Sequence, residues 1–239
     1  MLNPFDQDLQ LKMARNHIDL FSKVVPENFL RLMDKVKDST MLSIERLYDI
    51  YLTCKYLDKN QINGALLEVG TWKCGSLGMA LISTENASRK IIGFDTFEGH
   101  YRPEADEVDI RGHNMRARWD ETQQEGQRWA AADLEESRKF LQSLNQNNNP
   151  IALIKGDLKE TLKDWVPEPL ALIRIDCDWY LESKVSLEFL WKQLVSGGIA
   201  IMDDYGHHDG QRRAVDEFFA DKNVKFTHVD YSCISILKI

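Results

Sequence analysis

Four aspartates stand in two pairs late in the chain. Asp176 and Asp178 follow the apolar run Leu170-Ala171-Leu172-Ile173-Arg174-Ile175, and Asp203 and Asp204 follow Ile199-Ala200-Ile201-Met202. Between them Leu187, Leu190, Trp191 and Leu194 recur at helical spacing, and Gly197-Gly198 ends that helix. A strand, a helix and a strand of this length form a βαβ unit, so the strands are expected to be parallel. Both pairs then reach the same carboxyl edge of the sheet, where open α/β sheets bind ligands. Carboxylates converging there repel one another, and a divalent cation is the simplest group that offsets the repulsion. Oxygen-only ligands with positions left for substrate oxygens suit Mg²⁺. Read as pleated strand, Asp176 and Asp178 share a face with Cys177 on the other, so one can bind metal while its neighbour meets a substrate. Asp203-Asp204 alone reads equally as a solvated turn; Asp176 in the same unit favours the metal.

A second chemical stretch lies upstream. Ala65-Leu66-Leu67-Glu68-Val69 is a buried-strand run leading into Gly70-Thr71-Trp72-Lys73-Cys74-Gly75-Ser76 and then a helical segment, Leu77 to Ile82. The next strand, Lys90 to Phe94, ends at Asp95, 20 residues after Gly75. That offset suits a carboxylate on ribose hydroxyls; the plainer alternative is an ordinary turn with an exposed Asp. Gly70 permits a tight turn, and Gly75 lets the helix start approach a ligand. A dinucleotide site favours bare glycines beside a pyrophosphate, whereas this turn carries Thr71, Trp72, Lys73 and Cys74. Glu68 would repel a pyrophosphate and attract a cationic ligand. S-adenosylmethionine, with its sulfonium, amine and ribose, is favoured over a nicotinamide cofactor. Contacts to it are expected from Thr40, Met41, Glu68, Gly70, Thr71, Trp72, Gly75, Ser76, Asp95, Thr96, Phe97 and Asp176. Asp157, at the end of the strand Ile151 to Ile154, touches its adenine side or caps the following helix.

These elements predict an α/β fold: a doubly wound, Rossmann-like, seven-stranded sheet of five parallel strands plus a C-terminal antiparallel hairpin (Phe226–Val229 and Cys233–Leu237). Residues 1–60 form an N-terminal helical appendage and 61–239 the catalytic domain. In the appendage Leu9, Leu11, Met13, Ile18, Leu20 and Phe21 are scattered apolar positions, Pro26 starts a helix, and Ser39 or Thr40 caps another that begins near Met41. The appendage covers the sheet or meets another subunit, or else Asp38 to Met41 folds over the site as a lid. Residues 99–133 lack a period and read as a substrate lid, with His100 and His113 solvated or hydrogen-bonded.

The net charge of −8, from 38 acidic and 30 basic residues, argues against nucleic acid or an anionic membrane as partner. Cys54, Cys74, Cys177 and Cys233 form no CxxC pair and read as reduced thiols. No apolar run approaches the ~20 residues of a membrane span and no signal peptide is visible, so the expected location is the cytoplasm. A homo-oligomer is expected.

Taken together, Glu45-Arg46-Leu47, Glu68-Val69-Gly70-Thr71-Trp72, Phe94-Asp95-Thr96-Phe97-Glu98-Gly99, Asp176-Cys177-Asp178-Trp179-Tyr180 and Asp203-Asp204-Tyr205-Gly206 resemble the macrocin O-methyltransferase family (the TylF/MycF/NovP type) of class I methyltransferases. The resemblance runs from about Met41 to the C-terminus. It implies S-adenosylmethionine and Mg²⁺ as cofactors, a sugar hydroxyl on a small-molecule natural product as acceptor, Asp176, Asp203 and Asp204 as metal ligands, and Asp178 as general base. Catechol-type O-methyltransferases share the metal logic, but they usually carry Lys where this chain has Trp179 and Asp-Asn where it has Asp203-Asp204. A phenolic acceptor, a non-catalytic S-adenosylmethionine-binding protein and a nicotinamide dehydrogenase are the alternatives.

Overall fold

The computed structural model describes residues 19–126 and 128–239. Leu9, Leu11, Met13 and Ile18 therefore lie outside the described residues. The seven strands form one sheet in the order β3-β2-β1-β4-β5-β7-β6. They are β1 (Ala65–Val69), β2 (Ile91–Asp95), β3 (Ile151–Lys155), β4 (Leu170–Ile175), β5 (Leu194–Met202), β6 (Phe226–His228) and β7 (Ile234–Leu237). The first five pair in parallel, β7 runs antiparallel to β5, and β6 antiparallel to β7. The expected doubly wound sheet with its terminal hairpin is present.

The strand order reverses between β1 and β4, the switch point at which such sheets open a crevice. Gly70, just after β1, has φ +80°, and a Cβ there would stand 1.8 Å from the Asp176 carbonyl oxygen. Only glycine permits this approach, which sets the donor-side turn directly against the first aspartate.

Central strands buried on both faces read as near-continuous apolar runs. Leu66, Leu172 and Ile201 face a layer built from α1 (Glu27–Val36), α2 (Ile44–Lys59) and α3 (Gly75–Ser83). Leu67, Val69, Ile173 and Ile175 face the opposite layer with Leu187, Leu190 and Val215, from α7 (Tyr180–Leu190) and α8 (Asp209–Phe219). In chain order α4 (Met115–Gln124), α5 (Leu134–Leu144) and α6 (Leu158–Asp164) fall between α3 and α7.

Four local expectations need correction. The cap of α2 is Ser43, whose hydroxyl accepts from the Arg46 N–H, rather than Ser39 or Thr40; Ser39 ends a 3₁₀ turn instead. Leu194 opens β5 and does not belong to α7, which ends at Leu190, and Gly197-Gly198 lie inside β5. The insert 99–133 is not structureless: Asn114 caps α4, its side chain accepting from the Ala117 N–H. Finally, β4 ends at Ile175 and Asp178 has φ +61°, so pleated alternation does not extend to Asp178.

The insert is fastened to the carboxyl edge. The Ile110 N–H donates to the His207 carbonyl (2.8 Å), and the Val108 N–H to the Asp209 carboxylate (2.7 Å). Glu107 is 1% exposed and accepts from the Tyr180 N–H at the start of α7 (2.8 Å). Burial pushes its carboxyl up to about 7. Because that value lies above the unfolded one, Glu107 favours the fold most below about pH 4.5, and the benefit fades as pH rises through 7. Glu107→Gln keeps the acceptor and removes the charge. In thermal melts it should match the wild type near pH 5 and melt several degrees higher at pH 8; a pH-independent gap would exclude this account.

Candidate active site

The strand ends and the insert enclose a cavity of about 390 Å³ at the switch point. Of the residues expected at the site, Met41, Gly70, Trp72, Asp95, Thr96, Asp176, Asp178, Asp203 and Asp204 line it. The others lie behind its wall. Thr40 sits with Ser39 against the start of α3, where a Cβ on Gly75 would come within 2.3 Å of the Ser39 carbonyl. Ser76 donates to Glu68 (2.6 Å), and Glu68 is buried under the sheet edge. Asp157 caps α6, accepting from the Lys159 N–H (2.8 Å), while its neighbours Gly156 and Leu158 face the cavity.

The donor side is organised by Asp95. Its carboxylate accepts from the Trp72 N–H (2.8 Å) and the Phe97 N–H (2.6 Å). The Thr71 backbone also donates to this carboxylate, so Thr71 and Phe97 act through backbone geometry, Phe97 at φ +53°. Asp95 lines the cavity, and a carboxylate fixed in this way can still accept from a ligand hydroxyl such as that of a ribose.

The acidic floor carries most of the charge. Ligand oxygens of Asp176, Asp203 and Asp204 all lie within 4.8 Å of one another. Two arginines meet this cluster. Arg174 contacts Glu68, Asp176 (2.9 Å) and Asp203 (2.5 Å). Arg46 contacts Asp203 (2.6 Å) and Asp230 (2.7 Å). Five carboxylates (Glu68, Asp176, Asp178, Asp203 and Asp204) still outnumber the two guanidiniums. Burial first, and then mutual repulsion, hold the Asp176 and Asp204 carboxyls well above the usual carboxylate range. A cation bound there would take the place of those protons, and the all-oxygen donor set fits Mg²⁺. A second group, Asp178, Asp204 and His208, is equally compact, but its imidazole nitrogen suits transition metals better.

Asp178 stands beside this cluster under a lid of rings. His100 Nε2 is 3.4 Å and His208 Nε2 3.5 Å from its carboxylate. Trp179 lies 5.4 Å from His100, 5.1 Å from His208 and 5.8 Å from Trp129, centre to centre. Burial lowers His100 to about 4 and His208 to about 3, so both are neutral near pH 7. Burial, followed by repulsion from Asp176, raises Asp178 to about 7. A carboxylate near neutrality among neutral rings is poised to accept a proton. His113 instead pairs with Asp109 (2.9 Å) away from the cavity wall.

Sequence reasoning gave no role to His208, Arg46 or Trp129 and did not pair Glu68 with Arg174. For the pair a signal existed. Each is the lone charge in an otherwise apolar strand, and such charges are rarely buried unpaired. They sit opposite each other in the β1–β4 register.

Known proteins resemble this chain in sequence and in fold. A model of the macrocin O-methyltransferase (TylF) family matches residues 18–238. A 4'-O-methyltransferase of Streptomyces olivaceus, which acts on 8-demethyl-8-(2,3-dimethoxy-alpha-L-rhamnosyl)-tetracenomycin C, is 28% identical over 188 residues, 75% of this chain and 67% of the relative. Demethyldecarbamoylnovobiocin O-methyltransferase of Streptomyces niveus is 27% identical over 184 residues, 76% and 68% of the two chains. The solved structure of the O-methyltransferase NovP superposes with a TM-score of 0.69 at 24% identity, covering 84% of this chain and 82% of that one. Nearly the whole length falls within one family, and the chain is a macrocin O-methyltransferase family member, an S-adenosylmethionine-dependent O-methyltransferase.

Proposed function

We propose that this enzyme methylates a hydroxyl of a sugar, or of another vicinal diol, on a small-molecule natural product, with Mg²⁺ as a second cofactor. The observation that carries this reading is the placing of Asp178 beside the Asp176, Asp203 and Asp204 oxygens, across one cavity from Asp95. Relatives named for glycosylated or novobiocin-type acceptors support the substrate class. The donor would lie along Gly70, Trp72, Asp95 and Thr96, and when bound it supplies an electrophilic methyl on sulfur. Mg²⁺ held by Asp176, Asp203 and Asp204 would lower the pKa of an acceptor hydroxyl. Asp178 takes the proton from that hydroxyl, and His100, His208, Trp129 and Trp179 keep water from it. The chain is taken as a helical appendage (1–60) joined to a catalytic domain (61–239) whose insert 99–133 closes over the acceptor, acting as a cytoplasmic homo-oligomer. No described helix is long and apolar enough to cross a membrane.

The test is transfer of labelled methyl from S-adenosylmethionine over a panel of glycosides and catechols. Turnover of glycosides is expected, lost in excess EDTA and restored by Mg²⁺. Asp203→Ala should lose both Mg²⁺ binding and turnover. Asp203→Asn keeps the side chain's shape but can accept from only one of Arg46 and Arg174, so its thermal midpoint, measured beside Mg²⁺ binding, separates metal loss from misfolding. Undiminished turnover in EDTA would remove the metal from the mechanism, and exclusive use of catechols would replace the acceptor class.

A further inference from the structure

The cavity that holds the acidic cluster and its partner Arg46 is also lined by Arg118, from α4 of the insert. The guanidinium carbon of Arg118 lies 4.8 Å from the centre of the Trp129 ring. Among the described residues no carboxylate stands within 4.0 Å of it, whereas Arg102 and Arg213 are paired at 3.0 Å with Asp120 and Asp106. His207 lines the same cavity, its Nδ1 3.0 Å from the Tyr231 hydroxyl. Its pKa is lowered by burial and then by the charges of Arg46, Arg111 and Arg118, against the opposing pull of Asp109. In a chain of net charge −8, Arg118 is a local positive charge and not part of a general excess of basic residues.

A guanidinium held over an indole face keeps edge N–H groups available, and that fork can bind a planar or tetrahedral oxyanion bidentately. A neutral sugar with its hydroxyl at the acidic floor leaves Arg118 unanswered. We propose that the acceptor carries an oxyanion, phosphate or carboxylate, on the side away from the hydroxyl being methylated, and that Arg118 binds it. The inference rests on the methyl-transfer reading above and narrows its substrate class.

Calorimetric titration tests it. Protein loaded with S-adenosylhomocysteine and Mg²⁺ is titrated with glucose 1-phosphate, methyl glucuronide and neutral methyl glucoside. At least one anionic probe should bind tenfold or more tightly than methyl glucoside. That preference should vanish in Arg118→Ala, persist in part in Arg118→Lys and weaken with salt. Preference for glucose 1-phosphate assigns a phosphate, and preference for the glucuronide a carboxylate. Equal binding of all three probes, or an unchanged preference in Arg118→Ala, overturns the inference. Weaker S-adenosylhomocysteine binding in Arg118→Ala would give the guanidinium to the donor's own carboxylate and also overturn it. Donor binding without anion preference defeats this inference alone. Failure of the wild type to bind S-adenosylhomocysteine defeats the methyl-transfer reading and this inference with it.

Discussion

Asp178→Asn should lower methyl transfer by about 10²- to 10⁴-fold, the usual range for a positioned general base, while leaving S-adenosylhomocysteine affinity unchanged. The substitution is well matched to the site. Asp178 sits at φ +61°, a left-handed conformation that asparagine also tolerates. Asparagine keeps the shape but cannot take a proton, so a folding defect is not expected to contribute. Wild-type turnover in this variant would remove Asp178 from the base role.

The pH profile gives an independent readout. Asp178 works as a base only when ionised, and burial with the nearby Asp176 charge raises its pKa to about 7. With protein alone setting that value, the rate should rise as pH increases through about 7 and level off above it. A divalent cation on Asp176, Asp203 and Asp204 would cancel the repulsion that helps raise Asp178. Increasing Mg²⁺ should therefore move the rising limb to lower pH. A limb that stays fixed while Mg²⁺ saturates would mean that the cation does not lie beside Asp178.

How much of this was legible in the sequence depends on what each residue faces. β1, β4 and the end of β5 bury both faces, so their apolar runs showed plainly, and the aspartates that follow marked the carboxyl edge. Leu194 misled because its spacing from Leu187, Leu190 and Trp191 imitates a helix, although the chain has already turned into β5. α4 was hidden for the opposite reason: Met115 is its one buried residue, so it has no apolar stripe to read. Alternation described Asp176 correctly as a strand-end carboxylate but failed for Asp178, because β4 ends at Ile175. His100 and His208 reach Asp178 from loops after two different strands. Such a meeting is a product of chain path, not of local spacing.

Arg174→Met should be the most destabilising single change at the site, costing about 3–5 kcal/mol, as expected when one partner of a buried ion cluster is removed. Arg174 is 2% exposed and faces Glu68, Asp176 and Asp203 at once. Methionine fills a similar volume but leaves Glu68, Asp176 and Asp203 without their shared cation. Burial already raises the Glu68 and Asp176 carboxyls, with Arg174 pulling in the other direction. Removing that pull raises them further, so the folded variant binds more protons than the wild type. Its stability deficit should be small in acid and widen as pH rises toward neutrality. Adding Glu68→Leu should recover part of the loss, because one stranded charge is then gone. An unchanged denaturation midpoint at pH 7 would mean that Arg174 does not compensate the cluster. Magnesium links this structural test to the proposed chemistry. A ligand that binds only the folded state stabilises it in proportion to its affinity. In the variant the cation also replaces missing positive charge, so Mg²⁺ should raise the midpoint of Arg174→Met more than that of the wild type.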